Sequence, residues 1–242
     1  MSIYTNNGLV NHAENALELN TKYMWGGILR QITPAYIEQM RVIYGNTYYP
    51  LARVAELMKC VGKNYFGVDC IGLIKSYYWS GKPDGGTGSP RYDARTDCNA
   101  STMYKRAKVK GKIKDIPEVP GLIVYSANPV HVGVYIGKGL TIESTLGSRG
   151  DGVVKRPLDN LWTDWFECPY IEYIRTKTVK IAYPANVRKE PNSAADILGK
   201  LQPGDSATIY EGVEQTDSRT GYVYVKTDCK YGVGWIVKTA IA

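Results

Sequence analysis

The spacing of apolar residues changes character twice along this chain, and that limits its fold more than any other feature. Up to about residue 80 the period is helical: Val10, Ala13 and Leu17 share a face with Ala16 nearby, which predicts a first helix ending near Asn20. Thr33-Pro34 combines an N-cap with proline at the first helical position, opening a second helix with Ile37 and Met40 that is expected to stop at Gly45. A third runs from about Pro50 with Leu51, Val54, Met58 and Val61 on one side and closes at Gly62. Residues 80–92, rich in Gly, Pro and Ser, read as a loop. From about residue 120 short β-type runs take over, 122–125, 132–136 and 140–142, with Gly137-Lys138-Gly139 turning between the last two. Helices first and an antiparallel sheet second predict an α+β domain over 1–175. After Arg175 no helical period remains. Candidate strands at 206–210, 222–226 and 234–237, separated by turns, predict a small all-β barrel over 176–242, entered through a short linker near 174–180.

Composition narrows the function classes. No stretch of the 242 residues approaches the roughly 18 consecutive apolar positions of a membrane span, so no membrane insertion is expected. The opening Met1-Ser2-Ile3-Tyr4-Thr5-Asn6-Asn7 lacks both a basic head and an apolar segment. The reading is therefore of a chain made in the cytoplasm without a signal peptide, which needs another release route if it acts outside. Five cysteines at irregular spacings, no C-x-x-C and only two histidines indicate neither a disulfide framework nor a metal site, and no cofactor is expected. The net charge of +7 suits an anionic partner. The densest basic run, Lys105 to Lys114, alternates from 108 onward with Val109, Gly111 and Ile113, as in a strand with one solvated face; no nucleic-acid-binding motif accompanies it.

The segment richest in chemistry is Asp69-Cys70-Ile71-Gly72-Leu73. Asp69 is a good N-cap, which puts Cys70 in the first turn of a helix. There unpaired N–H groups and the positive end of the helix dipole favour a thiolate and offer donors to an oxyanion. Free cysteine is also among the most buried residue types, so inert packing is the competing reading. A cysteine nucleophile needs a base, and His131, opening the strand His131-Val132-Gly133-Val134-Tyr135-Ile136-Gly137, is the better placed of two histidines; His12 lies on the first helix with no partner in view. Glu143 follows on the neighbouring strand. It reads either as the acceptor for the second imidazole N–H or as a surface glutamate on an edge strand.

Three segments together resemble the NlpC/P60 family of cell-wall cysteine peptidases. Asp69-Cys70-Ile71-Gly72-Leu73 is similar to its Asp-Cys-Ser-Gly-Leu segment, residues 131–137 to its His-Val-Gly-Ile-Tyr-Ile-Gly strand, and Tyr23-Met24-Trp25-Gly26-Gly27 to its Tyr-x-Trp-Gly-Gly segment. The resemblance implies a papain-like α+β fold in which Cys70 is the nucleophile, His131 the base and then the acid, and Glu143 the orienting group. It also implies that Tyr23, Trp25 and Asp69 meet substrate. Ile71 departs from the family's serine, Glu143 stands where His, Asn or Gln is usual, and residues 28–66 form an insertion that reads as groove wall or as scaffold. In the tail, Ala185-Asn186-Val187-Arg188 and Gly232-Val233-Gly234-Trp235-Ile236 resemble the opening and close of bacterial SH3-like (SH3b) domains, which commonly bind cell wall.

The pairing implies a phage or prophage endolysin-like peptidoglycan hydrolase, with peptidoglycan as partner and the bond beside D-isoglutamate as target. An N-acetylmuramoyl-L-alanine amidase or an acyltransferase using the same dyad, and a non-catalytic wall-binding or virion structural protein, are the alternatives.

Overall fold

A hydroxyl cap starts the first helix in the computed structural model, which describes residues 4–242; the first three residues, part of the stretch read for an export signal, lie outside the described residues. Thr5 Oγ1 accepts from Gly8 N at 3.1 Å, and α1 (Asn6–Leu17) buries Leu9, Ala13 and Ala16. Two four-residue strands follow, β1 (Asn20–Tyr23) and β2 (Ile28–Gln31). The Thr33 cap and Pro34 open α2 as expected, but α2 (Pro34–Tyr48) runs past Gly45. At φ 71° Gly45 kinks the helix, and Tyr49 N bonds back to Gly45 O at 3.0 Å, so the glycine bends the element where the pattern predicted a stop. α3 (Leu51–Met58) is shorter than the period indicated and gives way to tight turns before Gly62. β3 (Tyr65–Val68) then pairs parallel with β1 and antiparallel with β2 in a three-stranded sheet.

The central element is α4 (Cys70–Trp79), of which every residue but Lys75 is buried. A helix apolar on all sides has to lie inside the fold. It packs against β2, α1 and the main sheet. After the 80–92 loop come α5 (Ala100–Arg106), capped by Asn99, and β4 (Lys110–Lys112), the only extended part of the lysine run before a 3₁₀ turn at Ile113–Asp115. The main sheet adds β5 (Ile123–Ala127), β6 (Val130–Gly137), β7 (Leu140–Gly147), β8 (Gly150–Pro157) and β9 (Asp164–Phe166). Its order is β4-β9-β5-β6-β7-β8, antiparallel throughout. One face, with Val132, Val134 and Ile142, joins the core around α4; the other carries Leu122, Val124 and Tyr135 under Trp162.

The contacts divide the chain into two compact units meeting between Tyr173 and Ile174. The second is all-β: β10 (Thr176–Lys180), β11 (Ala185–Arg188), β12 (Ile197–Leu201), β13 (Ser206–Thr216), β14 (Val223–Cys229) and β15 (Gly232–Val237). The segment expected as a linker is thus largely strand, with β10 paired along β13. Among the described residues the expected closed barrel is not formed: the ladder runs β10-β13-β14-β15-β11-β12 and stays open. The chain end is held instead by an isolated bridge, Ile181–Ile241, and by the bond from Ala242 N to Lys180 O at 3.0 Å. Val179, Val187, Val225 and Ile236 fill its core.

In the first unit a partly buried ion pair clamps the end of β1. Arg53 of α3 meets both oxygens of Asp151 on β8, at 3.0 and 2.6 Å, and Lys22 Nζ reaches Oδ2 at 2.9 Å. Burial acts to raise the Asp151 pKa, but these cations outweigh it and lower it from 3.8 to about 2. A carboxyl depressed in the folded state stabilises fully above its unfolded value, and the contribution is lost as pH falls through the folded one. Thermal melts of Asp151→Asn are therefore expected to show a Tm deficit that is constant above about pH 5 and shrinks toward zero as pH approaches about 2. A deficit unchanged down to the acid end contradicts the clamp.

Candidate active site

The start of α4 is fixed by one side chain. Asp69 Oδ1 accepts from Gly72 N at 2.5 Å, the expected N-cap, while Oδ2 accepts from Gly26 N at 2.7 Å in the turn after Trp25. Asp69 N donates to Gly27 O at 3.1 Å. The Tyr23–Gly27 segment is thereby tied to the residue preceding Cys70. Gly72 permits the approach: a Cβ there would run into the Gly27 carbonyl. Both Asp69 oxygens are engaged by backbone amides.

Cys70 is 8% exposed and lines a pocket of about 290 Å³ together with Tyr23, Trp25, Tyr44, Asp69 and Val130. Tyr23 shares that pocket with the sulfur, and the backbone amides of Val132, Ile71 and Cys70 itself act to favour its ionised form. The Val132 contact brings the sulfur to β6, one residue from His131. The expectation of a resting thiolate is corrected. Burial, followed by the negative charge of Asp69, pushes the thiol up to about 12 against the pull of the three amides, so the sulfur rests protonated at neutral pH. The helix start supplies donors, but it supplies them in a site nearly closed to water, where desolvation of the anion is the larger effect.

His131 Nε2 meets Glu143 Oε2 at 2.5 Å, which leaves Nδ1 for other work. Glu143 lies on the inner strand β7, with its side chain fully buried, so the edge-strand reading is overturned. Its second oxygen accepts from Arg149 Nε at 3.1 Å and Nη2 at 2.6 Å, and Arg149 Nη1 donates to Asp159 at 2.7 Å. Burial pushes the Glu143 carboxyl up, yet the bonds to His131 and Arg149 prevail and hold it below the usual range. Trp162 stacks on the His131 ring, 5.4 Å between centroids at 16°. Arg149, Asp159 and Trp162 escaped the sequence reading. They sit in turns between and after the strands, where no period marks a residue as inward-facing.

Trp25, 39% exposed, stacks on Tyr48 at 4.1 Å. Past it the pocket runs into a second chamber of about 410 Å³ that shares Gly26, Tyr44, Lys75 and Asp97 with the first and is walled by Gln39, Met40 and Ile43 of α2. The inserted segment therefore forms part of the groove wall. His12, by contrast, is buried 64 positions from its partner Ser76 in sequence, bonds its Oγ at 2.8 Å, and has its pKa lowered to about 4 by burial; it packs α1 on α4. Among the described residues no cluster of side chains fit for a metal ion is present, and no helix is long and apolar enough to cross a membrane.

Fold and pocket define an α+β unit with a buried cysteine at a helix start and, on the strand β6 that packs against this helix, a histidine bonded to a buried glutamate–arginine pair. Comparison with known proteins adds distant likenesses only. No family model matches, and no curated protein does. Among solved structures, NlpC2 from Trichomonas vaginalis shares 16% identity at a TM-score of 0.24, over 52% of this chain and 44% of that one, so this chain spans less than half its length. The peptidoglycan hydrolase RipB from Mycobacterium tuberculosis shares 20% at 0.38, over 69% and 67%. Ly7917, also solved with the hydrolyzing product of MDP, shares 15% at 0.22, over 70% and 82%. No family is assigned on similarities this low.

The buried carboxylate gives a stability test. Arg149→Met strands Glu143 with one partner and is expected to cost about 3 kcal/mol in urea unfolding. Adding Glu143→Gln should recover part of that loss, because no uncompensated buried charge then remains. Strictly additive losses contradict this account of the pair. Gly72→Ala, which must displace the Gly27 carbonyl, is expected to cost about 3 kcal/mol in the same assay.

Proposed function

We propose that this chain is a peptidoglycan hydrolase of the cysteine peptidase type, cutting a stem-peptide amide bond beside D-isoglutamate. The observation that carries the reading is the His131–Glu143–Arg149 chain set one residue along β6 from the amide that meets the Cys70 sulfur. The Asp-Cys-Ile-Gly-Leu, His-Val-Gly-Val-Tyr-Ile-Gly and Tyr-Met-Trp-Gly-Gly segments supply the substrate class.

Because the thiol rests protonated, attack and deprotonation are coupled. His131 takes the Cys70 proton as the sulfur bonds to the carbonyl carbon. The Cys70 N–H, at the open end of α4, and the Tyr23 hydroxyl donate to the oxyanion. The imidazolium, stabilised by Glu143, then gives its proton to the leaving amine as the C–N bond breaks, leaving a thioester. Water attacks the thioester, His131 accepts its proton and returns it to the departing sulfur, and the new carboxylate leaves. Glu143 fixes the ring so that one nitrogen faces the sulfur throughout, and Arg149 keeps Glu143 ionised. Trp25 and the aromatic wall beyond it receive the peptide. Asp69 acts at the same pocket by holding the Trp25 turn against α4.

The second unit serves as an SH3b-like wall binder. Within it Tyr183, Asn186, Arg188 and Tyr222 line an open groove of about 470 Å³ suited to an extended polar chain. A binder tethered to a hydrolase raises the local concentration of an insoluble substrate. On this reading the chain's site of action is the cell wall.

Cys70→Ala is expected to abolish clearing of a cell-wall suspension while leaving sedimentation with walls intact. His131→Ala should lower the rate by about 10³-fold or more. Product masses from the wild-type digest should show new termini at the D-isoglutamyl bond. Termini at muramoyl-L-alanine point to the amidase alternative, and clearing by Cys70→Ala rejects the nucleophile.

A further inference from the structure

We infer that Arg53 and Asp151 are positioning residues that fix the Tyr23 hydroxyl against the Cys70 sulfur, which gives the inserted helix α3 a role at the reacting end of the site. This rests on Tyr23 acting at Cys70 as proposed above. Tyr23 ends a strand of only four residues, and both of its peptide groups are held from elsewhere in the chain. Its N–H donates to Asp151 Oδ1 at 3.1 Å, and its carbonyl accepts from Arg53 Nη2 at 2.5 Å. Arg53 and Asp151 lie 98 positions apart in sequence and bind each other through both Asp151 oxygens.

The Arg53 side chain is 10% exposed, so its charge is carried in a largely dry place. A surface ion pair contributes little and needs no such burial. Here the planar fork spends one nitrogen on both a carboxylate and a main-chain carbonyl, a geometry lysine cannot reproduce. The consequence falls on one residue. With N–H and carbonyl both fixed, the Tyr23 backbone cannot rotate, and its ring is held at the pocket that Cys70 also lines. The alternative is that the pair merely anchors α3 to the body of the fold.

A coupling measurement on the full chain separates the two. The rate of Cys70 alkylation by iodoacetamide, located by peptide mass at one fixed pH, reports how well the thiolate is stabilised and needs no wall substrate. Tyr23→Phe is expected to slow it roughly tenfold, by removing one hydrogen bond to a charged sulfur. Arg53→Met should slow it severalfold when Tyr23 is intact and add nothing in the Tyr23→Phe background; Arg53→Lys should restore part of the rate. If Arg53→Met slows alkylation equally in both backgrounds, or leaves it unchanged, the positioning role is wrong. Should far-ultraviolet circular dichroism show Arg53→Met unfolded, Asp151→Asn, nearly isosteric, replaces it in the same cycle with the same criteria. Failure of the hydrolase reading appears separately, as wild-type protein that does not clear walls, and failure of the nucleophile as clearing by Cys70→Ala; neither outcome touches this cycle.

Discussion

Two oxygens of one buried carboxylate decide where everything else at the pocket sits. Asp69 caps α4 with one and holds the turn after Trp25 with the other. The nucleophile candidate and the tyrosine that shares its pocket belong to different elements, and this side chain ties those elements together. Because Asp69 is buried, its acceptor capacity is not diluted by water, and burial raises its pKa against the pull of Lys75, the two amides and His131. The same carboxylate adds to the cost of ionising Cys70. The geometry that assembles the site and the protonation state of its sulfur thus have a common source.

What could be read in the sequence was whatever depends on neighbours close along the chain. The cap at Asp69, the Thr33-Pro34 helix start, the β6–β7 hairpin and the contact of His131 with a residue twelve positions on all follow from local spacing, and they are present. The three-stranded sheet was invisible because four-residue strands such as β1 and β2 are too short to show a period. Arg149, Asp159 and Arg53 were missed for a related reason: a charged residue in a turn or on a helix looks solvated until the fold brings it an opposite charge. The thiolate expectation failed on burial. Dipole and cap are local, whereas desolvation depends on Tyr23, β6 and the 23–27 turn arriving together.

The insertion has a double role in this architecture. α2 walls the outer chamber with Gln39, Met40 and Ile43, and its last turn, beyond the Gly45 kink, brings Tyr48 onto Trp25. Had the helix ended at Gly45, Trp25 would lack its stacking partner. α3 contributes nothing to the wall directly and instead sends Arg53 inward to β1.

The main sheet is covered on both faces, and β6 runs through its middle. Amides of such a strand are expected to exchange with solvent only through openings that approach complete unfolding, whereas a four-residue strand owes its resistance to opening to whatever secures its end. The pocket is consequently built from halves secured in different ways: an imidazole borne on the middle of a six-stranded sheet, and a phenol borne on a short ribbon whose end is locked by the Arg53–Asp151 pair. Loss of that lock would free the tyrosine side while the proton-handling side kept its shape.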